Sequence, residues 1–423
     1  MKKLFLLAWP IALAAVSCSN EEVVSVNNDA NEIKFAVTAE NGTRAQNLFC
    51  NLNKPTNFHV WASVGDGEAA KQYFANVSYN LNDGKYTAAD GVVHFWPAEA
   101  VDFFAVTEET KKAVETPASP AEYNAWTTGF TWNITSASTI TWGTRNKNAS
   151  AQTDLLYAYT RKSRAQATDG TVDINFRHAL SQIVFKAVNN NPTIKVEIDQ
   201  VEVVNIASQG TFTMPFGVDK VTNDNINDHT TAGEYKTGVG SWSGQGTPIT
   251  YDTEKFTLAT VEYNKGVKNL TDEVGKNATG SESEGNYVAA EHPIVKHSLL
   301  LIPQKTTAWN RATETAPTSS NGSYFKVYCK IWNVSGATSN GADLLLWGKV
   351  NGSGESVTYT TEPVYIPFEA NWLPGKKYIY TFNFNTSTTG GYEEDGDPVL
   401  VPISFNITVD DFANVTNKDI DMK

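Results

Sequence analysis

The chain has 423 residues, 41% hydrophobic and 19% charged, enough apolar material for more than one core. A formal net charge of -13 repels phosphate backbones and argues against nucleic acid as a partner. The 11 Trp, 17 Tyr and 20 Phe against only 3 Met favour strands over helices.

Residues 1–17 read as a targeting segment. Lys2 and Lys3 supply a positive start, and Leu4 to Val16 is an apolar run too short to span a bilayer. It ends Ala15-Val16-Ser17-Cys18, small residues before a cysteine, the pattern of a lipoprotein signal that makes Cys18 the acylated residue. Only Cys50 and Cys329 then remain, far apart, and no disulfide is expected between them. No later apolar run is long enough for a transmembrane helix.

After the signal, strand signals recur without sustained helical periodicity. Residues 18–44 carry a first strand, Ile33-Lys34-Phe35-Ala36-Val37, with Ile33, Phe35 and Val37 on one face. Counting that first strand, about seven strand-like runs reach to Leu155–Tyr159, with turns such as Asn82-Asp83-Gly84 between them, and predict a β-sandwich over 45–165. A polar break at 161–170 marks the expected domain boundary, and a second strand set from Val172 to Phe384 predicts a second sandwich over 166–385. The Gly/Asn/Thr-rich stretch at 219–290 reads as a long loop.

Residues 386–423 read as a flexible acidic linker followed by a long amphipathic strand. Val399, Val401, Ile403, Phe405, Ile407 and Val409 face one way, and Pro402 on the other face suits an edge or exchanged strand. The run Ile403-Ser404-Phe405-Asn406-Ile407-Thr408 repeats the template of Ile33-Lys34-Phe35-Ala36-Val37-Thr38, so both strands fit one groove. Between the first strand and the body lies Thr43-Arg44-Ala45, a trypsin-like cleavage candidate, with Arg161 and Arg164 in an equally polar stretch. The six His make no metal-ligand spacing, His178 reads as a structural histidine inside a strand, and no nucleophile or phosphate-loop motif occurs. Neither an enzyme nor a cofactor is expected.

An ordered set of motifs carries a family resemblance. Asp154-Leu155-Leu156-Tyr157-Ala158 is followed by Phe176-Arg177-His178-Ala179-Leu180-Ser181-Gln182, Leu300-Leu301-Ile302-Pro303-Gln304 and Trp372-Leu373-Pro374-Gly375-Lys376-Lys377. With Trp96-Pro97 and the lipoprotein signal, this order resembles the fimbrillins of Bacteroidales bacteria, and Ser19-Asn20-Glu21-Glu22 resembles their acidic surface-export signal. The resemblance implies an all-β fold of two transthyretin-like, immunoglobulin-like sandwiches with a C-terminal donor-type strand. It implies a fimbrial subunit at the outer membrane or in an extracellular fimbrium, anchored by lipid before processing. An Arg/Lys-specific protease would cut between Arg44 and Ala45, and the groove left by Ile33, Phe35 and Val37 would take a strand from another subunit, self or paralogue. A host protein or glycan is the implied adhesion target. The alternative is a monomeric glycan-binding or anchor lipoprotein, with Trp242 and Tyr251 as candidate stacking residues.

Overall fold

The computed structural model describes residues 31–39, 55–107, 110, 129–143, 147–149, 152–216, 240–271, 298–319, 321–334, 343–353, 356–385, 390–401 and 403–411. Among them the chain is all-β, as expected, with short 3-10 turns and no α-helix. The first unit is one seven-stranded sheet in the order β1-β9-β8-β5-β2-β3-β4. Its strands are β1 (Lys34–Ala39), β2 (Asn57–Val64), β3 (Lys71–Asn82), β4 (Lys85–Ala88), β5 (Val101–Thr107), β8 (Leu156–Lys162) and β9 (Thr171–His178). Every residue of β5 is buried, because both faces of the strand are covered. Phe103 and Ala105 enter one core, with Phe58, Val172 and Ile174, while Phe104 and Val106 enter a second. The sheet curls until β1 comes back against β4.

The second unit encloses the largest core between two sheets. One sheet holds β10 (Ser181–Asn189), β14 (Lys268–Asn269), β15 (Leu299–Leu301), β21 (Lys376–Phe384) and β22 (Ile403–Asp411), with β10 parallel to β21. The other is built on β11 (Ile194–Thr213), a strand of 20 residues. Its neighbours are β7 (Thr139–Gly143), β12 (Ser241–Asp252), β13 (Ala259–Glu262) and β16 (Tyr324–Asn333). β6 (Gly129–Thr131), β17 (Leu344–Trp347) and β20 (Glu362–Pro367) extend it, and β18 (Lys349–Asn351) pairs with β19 (Thr358–Thr360) in a separate hairpin. At about 3.3 Å per residue β11 runs roughly 60 Å, long enough for its start to serve the second core and its end, through Phe212, the core between the units.

Two sequence expectations change. The polar break at 161–170 does not part the sheets; it is the connection of the β8–β9 hairpin inside the first one. Its polar residues serve the turn, with Gln166 accepting from the Ser163 N–H at 2.8 Å and Lys162 paired with Asp173 at 2.8 Å. The chain changes sheet later, between His178 and Ser181, across Ala179 and Leu180 alone. The 219–290 stretch is not one long loop either: its described part carries β12, β13 and β14. The Gly, Ser and Thr of β12 hide the alternation because its outer face meets solvent.

Inside the first unit, Asp102 on β5 is a carboxylate with a side chain 2% exposed. Burial pushes its pKa up, opposed by the Tyr159 hydroxyl and the Arg161 guanidinium that donate to it. Arg161 also reaches Asp66. Removing Arg161 strands a buried charge, so Arg161→Ala is expected to cost about 3 kcal/mol of unfolding free energy in urea, while Asp102→Leu/Arg161→Leu recovers most of it.

Candidate assembly site

β1 is the edge strand of its sheet, running parallel to β9 with Lys34 opposite Thr171, Phe35 opposite Val172 and Val37 opposite Ile174. Just before it, the chain pairs on its other side: Ile33 N–H donates to the His94 carbonyl and Trp96 N–H to the Asn31 carbonyl, both at 2.8 Å. Alternation then sends Ile33, Phe35 and Val37 into the first core, at 4%, 6% and 2% exposure. The Phe35 ring meets Tyr79, Phe103 and Phe58 edge-on at centroid distances of 4.6, 5.6 and 6.0 Å. Burial, with the carboxylates of Asp90 and Glu32, raises the Tyr79 hydroxyl well above its ordinary range, so it stays protonated beside Phe35. Cys18, Arg44, Ala45 and Cys50 lie outside the described residues.

At the other end of the chain, β22 is also an edge strand, antiparallel to β21 of its own sheet. Val399, Val401 and Ile403 are buried in the second core, whereas Phe405, Ile407 and Val409 are half-buried against it. The segment before them corrects the expectation of a flexible linker in its described part, 390–401. Tyr392 exchanges two backbone hydrogen bonds of 2.9 Å with Tyr365 on β20 and lies edge-on to Trp309 at 5.0 Å. Arg311 donates to the Gly396 carbonyl. The glycines that read as flexibility are needed for close packing: a Cβ on Gly391, at φ +86°, would sit 3.0 Å from both Val364 and Val399.

The motifs that carry the family resemblance converge where the units meet. Asp154 Oδ2 and His178 Nδ1 share a hydrogen bond of 2.5 Å, and Ala179 N–H donates to the Leu155 carbonyl at 2.9 Å. Ser181 Oγ donates to the Leu373 carbonyl and Gly375 N–H to the Leu180 carbonyl, each at 2.9 Å. Gln304 binds both backbone groups of Ala207 on β11. These residues are a structural joint, and His178 is a buried histidine with a partner, as its strand position suggested. Their separation along the chain hides from the sequence that they touch.

Other candidates fall away. Trp242 is 8% exposed between the units, with its indole N–H on the Ala179 carbonyl, and Tyr251 is fully buried, so neither offers a face to a sugar. Arg161, held by Asp66 and Asp102, and Arg164, half-buried in its turn, are not the exposed arginines that their polar surroundings suggested. Cys329 is fully buried in β16, and burial pushes its thiol pKa up strongly. No helix among the described residues is long and apolar enough to cross a membrane.

A family model described as fimbrillin-like matches residues 43–409, both units and β22, and begins beyond β1. No curated protein matches the chain. Among solved structures, a fimbrial protein from Bacteroides vulgatus aligns at 12% identity with a TM-score of 0.47, covering 89% of this chain and 98% of that one. A candidate cell adhesion protein from Bacteroides uniformis aligns at 12% identity and TM-score 0.36, covering 90% and 97%. Another from Bacteroides eggerthii aligns at 13% and 0.38, covering 90% and 94%. With most of its length matched by the family model, the chain belongs to the fimbrillin-like family.

Proposed function

We propose that this protein is a subunit of a surface fimbria that is exported as a lipoprotein on Cys18, trimmed between Arg44 and Ala45, and joined to its neighbours by strand exchange. The observation that carries this reading is β1. It is held along a sheet edge, and it delivers three buried apolar side chains to the first core. Arg44 follows it in the sequence by a few residues, so one cut by an Arg/Lys-specific protease severs β1 from the body.

The energetics fit a strand that is stable until cut and costly to lose. Burying Ile33, Phe35 and Val37 contributes roughly 5–9 kcal/mol gross at about 1.5–3 kcal/mol each. Once cleaved, the segment is no longer tethered, and its loss exposes that apolar groove beside the unpaired edge of β9. Such an edge is a template for an added strand: main-chain hydrogen bonds along the edge supply affinity, and alternate side chains fill the pockets. The C-terminal strand carries the matching pattern at Ile403, Phe405 and Ile407, and its distal half is only partly buried at home. A groove at one place and a donor at another make a head-to-tail contact that propagates as a filament. The filament then presents adhesive surface to host protein or glycan beyond the outer membrane.

Two outcomes are expected. Trypsin treatment of the unlipidated precursor releases everything before Ala45 and yields SDS-resistant ladders and filaments by electron microscopy; Arg44→Ala stays monomeric, and filaments from it would overturn the processing step. Phe35→Ala lowers precursor stability in urea by about 3–5 kcal/mol, yet filaments made after trimming match the wild type, because residue 35 has left. Filaments weakened as much as the precursor would mean that β1 stays in place.

A further inference from the structure

Resting on the strand-exchange reading, we propose that subunits meet through a second, apolar contact besides the exchanged strand: the ridge Val92, Val93 and Phe95 beside the groove of one copy is covered by the next copy at Leu400, at the root of its β22. The ridge is the loop that carries the chain from Asp90 to Trp96 past the start of β1, where Ile33 N–H bonds the His94 carbonyl and Glu32 bridges Phe95. Its three apolar side chains are 50%, 49% and 46% exposed. Among the described residues of the first unit, Leu81 is the one other large apolar side chain exposed to a comparable degree. A single exposed apolar residue needs no explanation, but three within four positions form a patch that calls for a cover.

The ridge also outlasts β1. Two of its bonds go to the strand that trimming removes, one from Ile33 N–H to His94 and one from Trp96 N–H to Asn31. The others stay within the body. Val92 N–H donates to Asp90 at 3.0 Å, the Tyr73 hydroxyl donates to the Phe95 carbonyl, and the Trp96 indole N–H donates to the Gly170 carbonyl at 3.0 Å. The His94 ring stacks on Phe74 at 4.1 Å. The trimmed protein therefore keeps an ordered apolar rim at one mouth of its groove.

The occupant follows from the length of the lead. Val399 and Val401 are buried in the second core, and Val399 N–H is fastened to the Gly391 carbonyl at 3.1 Å, next to the Tyr392–Tyr365 bonds. A donor strand that begins at Ile403 leaves its own body two residues after the last rooted side chain, at most about 7 Å of extended chain. On so short a lead the donor's body has to rest against a mouth of the acceptor's groove. Leu400 lies at that root and, at 83%, is the most exposed large apolar side chain among the described residues. With Val399 and Val401 turned inward, alternation turns Leu400 outward. An apolar rim on one copy and an apolar root on the next are the two halves of one contact.

The test uses trimmed protein, with Val92→Ser/Val93→Ser for the rim and Leu400→Ser for the root. Each is expected to slow filament assembly about tenfold, the effect of losing one or two half-buried aliphatic contacts. The two together are expected to slow it no more than either alone, because they break the same contact. The rim variant's urea midpoint as precursor, and its uptake of a synthetic peptide of residues 31–39 once trimmed, are expected to match the wild type. Unchanged assembly rates, or slowdowns that multiply in the combined variant, would overturn the contact and leave strand exchange standing. A rim variant that loses precursor stability or peptide uptake would mean that the ridge serves its own groove, and would overturn the contact equally. Wild-type trimmed protein that takes up no peptide and forms no filaments would overturn strand exchange and this inference with it.

Discussion

The first core depends on a strand that the compact part of its own sheet does not supply. Phe58, Tyr79 and Phe103 form an aromatic socket, and the ring that fills it, Phe35, arrives on β1 from the far N-terminal side of the body. That strand also stitches the His94–Trp96 segment to β9, so the curled sheet is closed along this seam. A sheet of this kind needs some strand in the seam but not this particular one, because backbone hydrogen bonds do not depend on side-chain identity and the pockets ask only for apolar residues at every second position. The proposed assembly follows from that distinction.

The joint between the units supplies the second constraint. His178 and Ser181 belong to different sheets with two residues between them, and Leu155, Leu373 and Trp242 all bond to that short crossing. An apolar core containing Tyr157, Phe212 and Trp242 fills the space on either side. A subunit that passes load along a fibre benefits from a joint of this kind, since its buried backbone bonds leave little freedom for the units to hinge.

Much of this was legible in the sequence. Period-2 alternation located β1 and β22 and assigned their buried faces correctly. What the sequence hid was pairing. The break at 161–170 looks the same whether it links two domains or turns a hairpin, because both put polar residues in solvent. Gly390-Gly391 reads as flexibility until the side chains of Val364 and Val399 are seen pressing on it. Trp242 reads as a surface aromatic because its neighbours Ser241 and Ser243 are polar, yet they lie on the wet face of β12 and it does not.

The measurement that bears most directly on the removable seam is competition by the strand itself. A synthetic peptide of residues 31–39 would be added in excess to freshly trimmed protein, and the mass of the product followed. If β1 is a replaceable occupant of the groove, the peptide caps the subunits, and the product is a monomer carrying one peptide. If the trimmed protein assembles at the same rate and takes up no peptide, the groove is not where subunits join, and the account fails.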